Sequence, residues 1–278
     1  MDLSIQALVL GLVQGLTEFV PISSSGHLIL VPWLFGWKDP FIDSIAFSVL
    51  LHMGTLLALL VYFWRDWIVL VPAGLATIRD RSFRGDPNRK MAWLIAVATI
   101  PAVIAGPLFE STFESLVREP APVALMLCIG AAILWLADRW GPKLREMASL
   151  TFPNAAGIGV AQVLALVPGI SRSGVSISAG LFLGLKREAA ARFSFLMATP
   201  VVGGAGIWEG RKLITHEAGV NPDARLIVIG FVAAAVSGLL AIHFMLEFLK
   251  RRPVTLFVVY RVVAAALVFV VLLSPHGA

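Results

Sequence analysis

Apolar runs close to the thickness of a bilayer core recur along the chain and restrict its architecture before any single residue is considered. Six stretches, at about 43–64, 90–108, 121–138, 192–209, 225–248 and 254–273, are long and apolar enough to cross as helices. The polar connections between them are too short for a separate soluble unit, so the 278 residues read as one membrane domain. Composition agrees: 58% of residues are hydrophobic and 14% charged, against about half and about a quarter in soluble domains. A formal charge of +5 does not point to nucleic acid, because the basic residues lie in short clusters between apolar runs. Cys128 is the single cysteine, so no internal disulfide is expected. The N-terminus lacks a basic region followed by a small-residue cleavage site, so Met1 onward is expected to be mature chain.

Two further segments do not fit a span. Residues 3–36 and 152–186 each hold two apolar arms of about 12 to 17 residues around a polar centre, PISSSGH in one and PGISRSG in the other. Arms that short suit re-entrant hairpins, whose irregular backbone survives at membrane depth when it is buried in protein or lines a wet cavity. The expected fold is therefore all-α and polytopic, with about six transmembrane helices and two re-entrant helical hairpins. Loop charges agree with this count. With the 65–89 loop cytoplasmic, the basic residues from Arg65 to Lys90, those at 139–145, Lys186, Arg187, Arg192 and Lys250 to Arg252 fall inside. Lys38, Arg118, Arg211, Lys212 and Arg225 fall outside. Both termini are then expected on the outer face, with the hairpins entering from opposite leaflets.

Opposite entry of similar hairpins is what an inverted-topology repeat produces. The run GLVQGLTEFVPISSSG (11–26) aligns with GVAQVLALVPGISRSG (159–174) given a one-residue shift at the proline, and Phe47-Ser48 has a counterpart in Phe193-Ser194. Repeat 1 is expected over about 1–150 and repeat 2 over about 151–278, with the two polar tips meeting near the midplane.

Ionisable groups at membrane depth are expensive, so Glu18, His27 and Arg172 need partners, most cheaply one another in a shared hydrated pocket. Gln14 and Glu18 are four apart and share a helical face, where both can contact one cation or one water. Ser23, Ser24, Ser25 and Gly26 follow a proline, and Ser171, Ser173 and Gly174 surround Arg172. Hydroxyls, freed backbone N–H groups and a planar guanidinium suit a phosphate. Glu18 and His27 can move protons, Ser24 is a candidate nucleophile, and a hard cation such as Mg²⁺ or Ca²⁺ would be held by Glu18 with Gln14. No His/Cys spacing for zinc is present.

The segments QGLTEFVPISSSGHL and PGISRSG, together with HMGT at 52–55 and TIPA at 99–102, resemble the undecaprenyl-diphosphatase family of bacitracin-resistance membrane phosphatases. The resemblance covers nearly the whole chain and rests on two long motifs in the right order. It implies removal of the terminal phosphate of undecaprenyl pyrophosphate with a divalent cation, in a bacterial plasma membrane, at a site opening outward. It assigns Glu18, Ser23, Ser24, His27, Ser171, Arg172 and Ser173 to that site, with Gln14 at the variable first place of an (E/Q)xxxE motif, where members with Glu offer a second carboxylate. Gln14 brings no negative charge, which puts a two-carboxylate metal site in question.

A different class fits the same topology, since inverted repeats with broken helices also build transporters and flippases for phosphate-bearing lipids. A PAP2-type phosphatase would need a histidine downstream of the Ser-Arg pair and an upstream basic motif, and neither stands at a suitable spacing. Expected partners are the polyprenyl pyrophosphate and membrane lipids, not nucleic acid; a homodimer is compatible with the sequence but no feature demonstrates it.

Other features have plainer readings. The serines suit helix caps, and His52 suits either support of the pocket or a structural bond to a neighbouring helix. Arg261, inside the last span, calls for an ion pair with Glu247 or a lipid phosphate. Trp33, Trp37, Trp64 and Trp67 suit an interfacial belt, the GGAG run at 203–206 close helix packing, and residues 67–78 an amphipathic helix.

Overall fold

The computed structural model describes residues 2–83, 86–116, 119–214 and 223–274; Met1, Arg84, Arg118 and the end of the second repeat at 275–278 lie outside the described residues. The helices are α1 (Leu3–Phe19), α2 (Ser24–Phe35), α3 (Ile45–Tyr62), α4 (Trp64–Asp80), α5 (Pro87–Leu116), α6 (Pro120–Trp140), α7 (Phe152–Val163), α8 (Arg172–Phe182), α9 (Arg187–Ile214), α10 (Ala224–Arg251) and α11 (Thr255–Leu273). Their starts follow from ordinary capping chemistry. Asp2, Ser44, Thr151 and Asp223 each accept a first-turn N–H of α1, α3, α7 and α10.

Among the described residues, six helices are long and apolar enough to cross a membrane: α3, α5 over Pro87–Phe109, α6, α9 over Arg187–Trp208, α10 and α11. These are the six runs expected from the sequence. The hairpin arms α1, α2, α7 and α8 have 17, 12, 12 and 11 residues. At about 1.5 Å per residue none spans the roughly 30 Å hydrocarbon core. Three helices of spanning length, α3, α5 and α6, separate the hairpins in the chain.

Close backbone approach docks the hairpins. A Cβ at Gly11 would strike the backbone of α10 at Gly230, and one at Gly159 would strike the backbone of α5 at Ala98. These two glycines are the aligned positions of the two motifs, so each hairpin rests on its long helix through the same residue type. Phe19, beside the first tip, packs edge-on against Phe195 of α9 with ring centroids 5.4 Å apart. On their outer faces the helices expose apolar side chains such as Leu12, Leu16, Val103 and Val263, as lipid contact requires.

Helix α4 covers the expected amphipathic stretch and extends beyond it at both ends. It buries Leu70, Ala73 and Thr77, three and four residues apart, against α5. The GGAG run behaves differently from the close packing expected of it. Gly204 has open space where a Cβ would stand and Gly203 meets only Leu56 at contact distance, while Gly206 is crowded by the flexible side chain of Met53.

Candidate active site

The two polar centres fold alike. Chain direction reverses after Val20 and after Val167, and the next helices start at Ser24 and Arg172. Each is preceded by a serine N-cap in the left-handed region, Ser23 at φ 77° and Ser171 at φ 80°. A non-glycine residue there costs of order 1–3 kcal/mol, which the surrounding contacts must offset. Both hydroxyls accept the N–H three residues on, from Gly26 at 3.3 Å and Gly174 at 3.0 Å. Bonds also run between the tips. Gly169 N–H donates to Ser23 Oγ at 3.2 Å, and Ser173 Oγ donates to the Val20 carbonyl at 3.3 Å. The amino ends of α2 and α8 therefore face one place, and aligned peptide dipoles make it receptive to an anion.

Glu18, only 6% exposed, is the hub of that place. Arg172 Nη2 donates to its Oε1 at 2.5 Å, joining the first hairpin to the second. Its Oε2 accepts from Ser24 Oγ and from Gln14 Nε2, the latter at 3.1 Å. His52 Nε2 of α3 stands 3.7 Å from the same oxygen, while its Nδ1 is held on the Ser48 carbonyl at 2.8 Å. Of the two roles open to His52 from the sequence, the structure therefore places its ring against the site carboxylate.

Two polar atoms at the hub are buried without a hydrogen-bond partner among the described residues, Arg172 Nη1 and Gln14 Oε1. One is a cationic donor and the other an acceptor, and each has a free valence for something that binds here. Gln14 turns its Nε2 to the Glu18 carboxylate, and its unengaged Oε1 together with that carboxylate supplies oxygen donors of the kind a hard divalent cation takes. Among the described residues no cluster of three His, Cys, Asp or Glu could hold a metal unaided, so substrate oxygens or water would have to complete that shell.

His27 sits differently from Glu18. Both ring nitrogens are engaged, Nδ1 with the Ser23 carbonyl at 2.7 Å and Nε2 with the Tyr260 hydroxyl at 2.8 Å, and the two rings stack with centroids 5.6 Å apart. The ring thus ties the first tip to α11. Ser25 bonds Ser23 at 3.3 Å and also lines the cleft that leads to the tips. Ser171 and Ser173 share a 3.2 Å bond.

Arg261 corrects the expected pairing with Glu247, which instead bonds Lys250 at 2.5 Å. Arg261 is fully buried and donates to five backbone carbonyls. Pro21 of the first tip accepts at 3.1 Å, and Gly169 and Ile170 of the second accept at 2.7 and 3.0 Å. Leu127 and Met126 of α6 complete the set. Carbonyls in a broken helix at membrane depth need donors, and a guanidinium offers five. Gly130 makes the room, since a Cβ there would overlap the guanidinium. Tyr260 and Arg261 are the site residues that sequence reasoning missed or misassigned. The one signal was an adjacent Tyr-Arg pair inside the last apolar span.

A cleft of about 970 Å³ leads from Ser25 and Pro168 at the tips between α2 and α3 to Asp43 and Ser44, with Leu28 and Phe47 among its walls. Its far rim lies on the face that carries the α2–α3 connection.

Fold and site together define a multi-pass membrane protein whose charged, hydroxyl-bearing centre lies between two hairpin tips. Residues 7–267 match the family described as Bacitracin resistance protein BacA, and the chain belongs to that family. It is 45% identical to an undecaprenyl-diphosphatase of Moorella thermoacetica, covering 96% of this chain and 97% of that protein. Undecaprenyl-diphosphatases of Caldicellulosiruptor bescii and Trichlorobacter lovleyi are each 46% identical, covering 95% of both chains in each comparison.

Proposed function

We propose that this chain hydrolyses undecaprenyl pyrophosphate to undecaprenyl phosphate and inorganic phosphate, recycling the lipid carrier of cell-wall synthesis and so conferring bacitracin resistance. The observation that carries the reading is the Glu18 carboxylate held between Arg172 and the Ser24 hydroxyl, where the amino ends of two helices converge. That arrangement combines an anion grip with a nucleophile–base pair, and moving a lipid without cleaving it requires no such pair.

Ser24 Oγ attacks the terminal phosphorus and passes its proton to Glu18. The bond from that phosphorus to the bridging oxygen breaks, and undecaprenyl phosphate leaves with the electron pair and takes the proton from Glu18, which is ionised again. Water then attacks the phosphoserine and gives a proton to Glu18; as the bond from phosphorus to Ser24 Oγ breaks, Glu18 returns that proton to Oγ, and inorganic phosphate is released with Ser24 restored. Arg172, through its unengaged Nη1, and the N–H groups opening α2 and α8 hold the equatorial oxygens as charge spreads over them. His27 and Arg261 hold the tips in register through Tyr260 and the tip carbonyls.

A divalent cation, Mg²⁺ or Ca²⁺, would be held by Glu18 and Gln14 Oε1, and it would supply charge neutralisation at the phosphate oxygens. The prenyl chain is assigned to the cleft between α2 and α3, whose walls are apolar and whose inner end is Ser25. The positive-inside rule puts both termini and this opening on the outer face of a bacterial plasma membrane.

Phosphate release from the C55 pyrophosphate by the purified protein in detergent tests the reading. Release that Glu18→Ala and Ser24→Ala both abolish, with phosphoserine trapped on the parent, is the expected result. Lipid movement across vesicles without phosphate release would overturn it. Ser24→Ala retaining activity would replace the serine with a directly attacking water.

A further inference from the structure

A second cleft, of about 1200 Å³, lies at the far end of α3 from the first, between the beginnings of α4 and α5 and the side of α9. Of α3, only residues 52–62 lie between the two, about 16 Å along the helix. Three cations face this cleft, Arg65, Lys90 and Arg192, together with one carboxylate, Asp66. Asp66 is engaged by Arg192 at 2.5 Å. Arg65 contacts only the ring of Trp64, at 5.3 Å, and Lys90 has no hydrogen-bond or ion-pair partner among the described residues. The deeper walls are apolar, with Leu70, Met91, Leu94 and Leu196.

Leu70 is also a wall of an apolar groove of about 570 Å³ that continues between α4 and α5 past Val71, Leu75 and Ile78. Trp67 and Trp93 line that groove, and the indole N–H of each is buried with no acceptor among the described residues. A buried donor without an acceptor costs about 1–3 kcal/mol, so two lining one groove point to an acceptor supplied from outside the chain. Unengaged cations come first, then waiting donors, then an apolar trough. That is the order of phosphate, ester carbonyls and acyl chain in a glycerophospholipid.

We propose that this composite cleft binds one anionic glycerophospholipid. The phosphate lies on Arg65 and Lys90, the ester carbonyls accept from Trp67 and Trp93, and an acyl chain fills the α4/α5 groove and clasps α4 against α5. The excess of positive charge selects an anionic over a zwitterionic head group. A polyprenyl phosphate lacks the ester carbonyls, and free phosphate would leave the groove empty.

The test titrates the purified full-length protein in neutral detergent with short-chain phosphatidylglycerol, phosphatidylcholine, a short polyprenyl phosphate and inorganic phosphate, reading the melting temperature. Phosphatidylglycerol is expected to stabilise the parent at a concentration at least about tenfold below phosphatidylcholine, with two cations engaged, and below the other two probes. Arg65→Gln/Lys90→Gln should erase the preference and Trp67→Phe/Trp93→Phe should weaken it, whereas Arg251→Gln/Arg252→Gln, exposed charges at the end of α10, should keep it. The proposal fails if the parent does not distinguish the two phospholipids, or if phosphate or the prenyl phosphate matches phosphatidylglycerol. It fails equally if the indole variant is indistinguishable from the parent or if the Arg251/Arg252 variant loses the preference as fully as the Arg65/Lys90 one.

Discussion

Ser23 and Ser24 are adjacent hydroxyls with different work. Ser23 accepts from Gly26 and Gly169 and stands at positive φ, while Ser24 donates to Glu18. Ser24→Ala should lower phosphate release by a factor on the order of 10³ or more with the melting temperature unchanged. Ser23→Ala removes a cap worth about 1 kcal/mol and should lower the melting temperature while retaining more activity than Ser24→Ala. Parallel activity and melting measurements on the two variants check this; identical profiles would refute the division. Arg261→Met strips donors from carbonyls of both tips and should depress stability and activity together, with Arg261→Lys, a smaller and less branched donor, restoring only part. A calorimetric or fluorescence melt of each variant reads it. The Gln14–Glu18 pair was legible because a four-residue spacing has one geometric meaning on a helix. The role of Arg261 was not legible, because its partners are backbone carbonyls, and these leave no residue type in the sequence to search for. His27 was visible as an intramembrane histidine, yet its partner Tyr260 stands 233 residues away in the chain and no local pattern could have named it.

At the scale of elements, the hairpins depend on how closely α1 can approach α10. A Cβ at Gly15 would overlap Ser237 and meet the α10 backbone at Ala234 and Gly238. Gly15→Ala should destabilise the protein by about 1–3 kcal/mol, as overpacking does, visible as a lower melting temperature, and Gly15→Leu should do so more severely. A neutral Gly15→Ala would mean that the two helices separate at little cost. The lengths of the spans and arms were readable because hydrocarbon thickness sets them, and the face of α4 because its apolar spacing is helical. The left-handed caps were not, since serine ordinarily caps a helix from the β region. That two serines occupy φ near 80° reflects the tip-to-tip bonds that hold them, a tertiary effect.

For the whole molecule, convergence of the two hairpin tips places one acid and one guanidinium where neither hairpin alone has a site. Chelation with EDTA should stop phosphate release and added Mg²⁺ or Ca²⁺ should restore it. Gln14→Ala should raise the cation concentration needed, measured as the half-saturating metal in the same assay; unchanged release in EDTA would remove the cation from the account. The central claim is that Glu18 and Arg172 act as one unit across the hairpins. A double-mutant cycle of Glu18→Asp and Arg172→Lys, read as kcat/KM for phosphate release from the C55 pyrophosphate, tests it most directly. The account predicts strong non-additivity, with the double variant little slower than the slower single variant. Losses that simply multiply would show the two residues working independently and would contradict it.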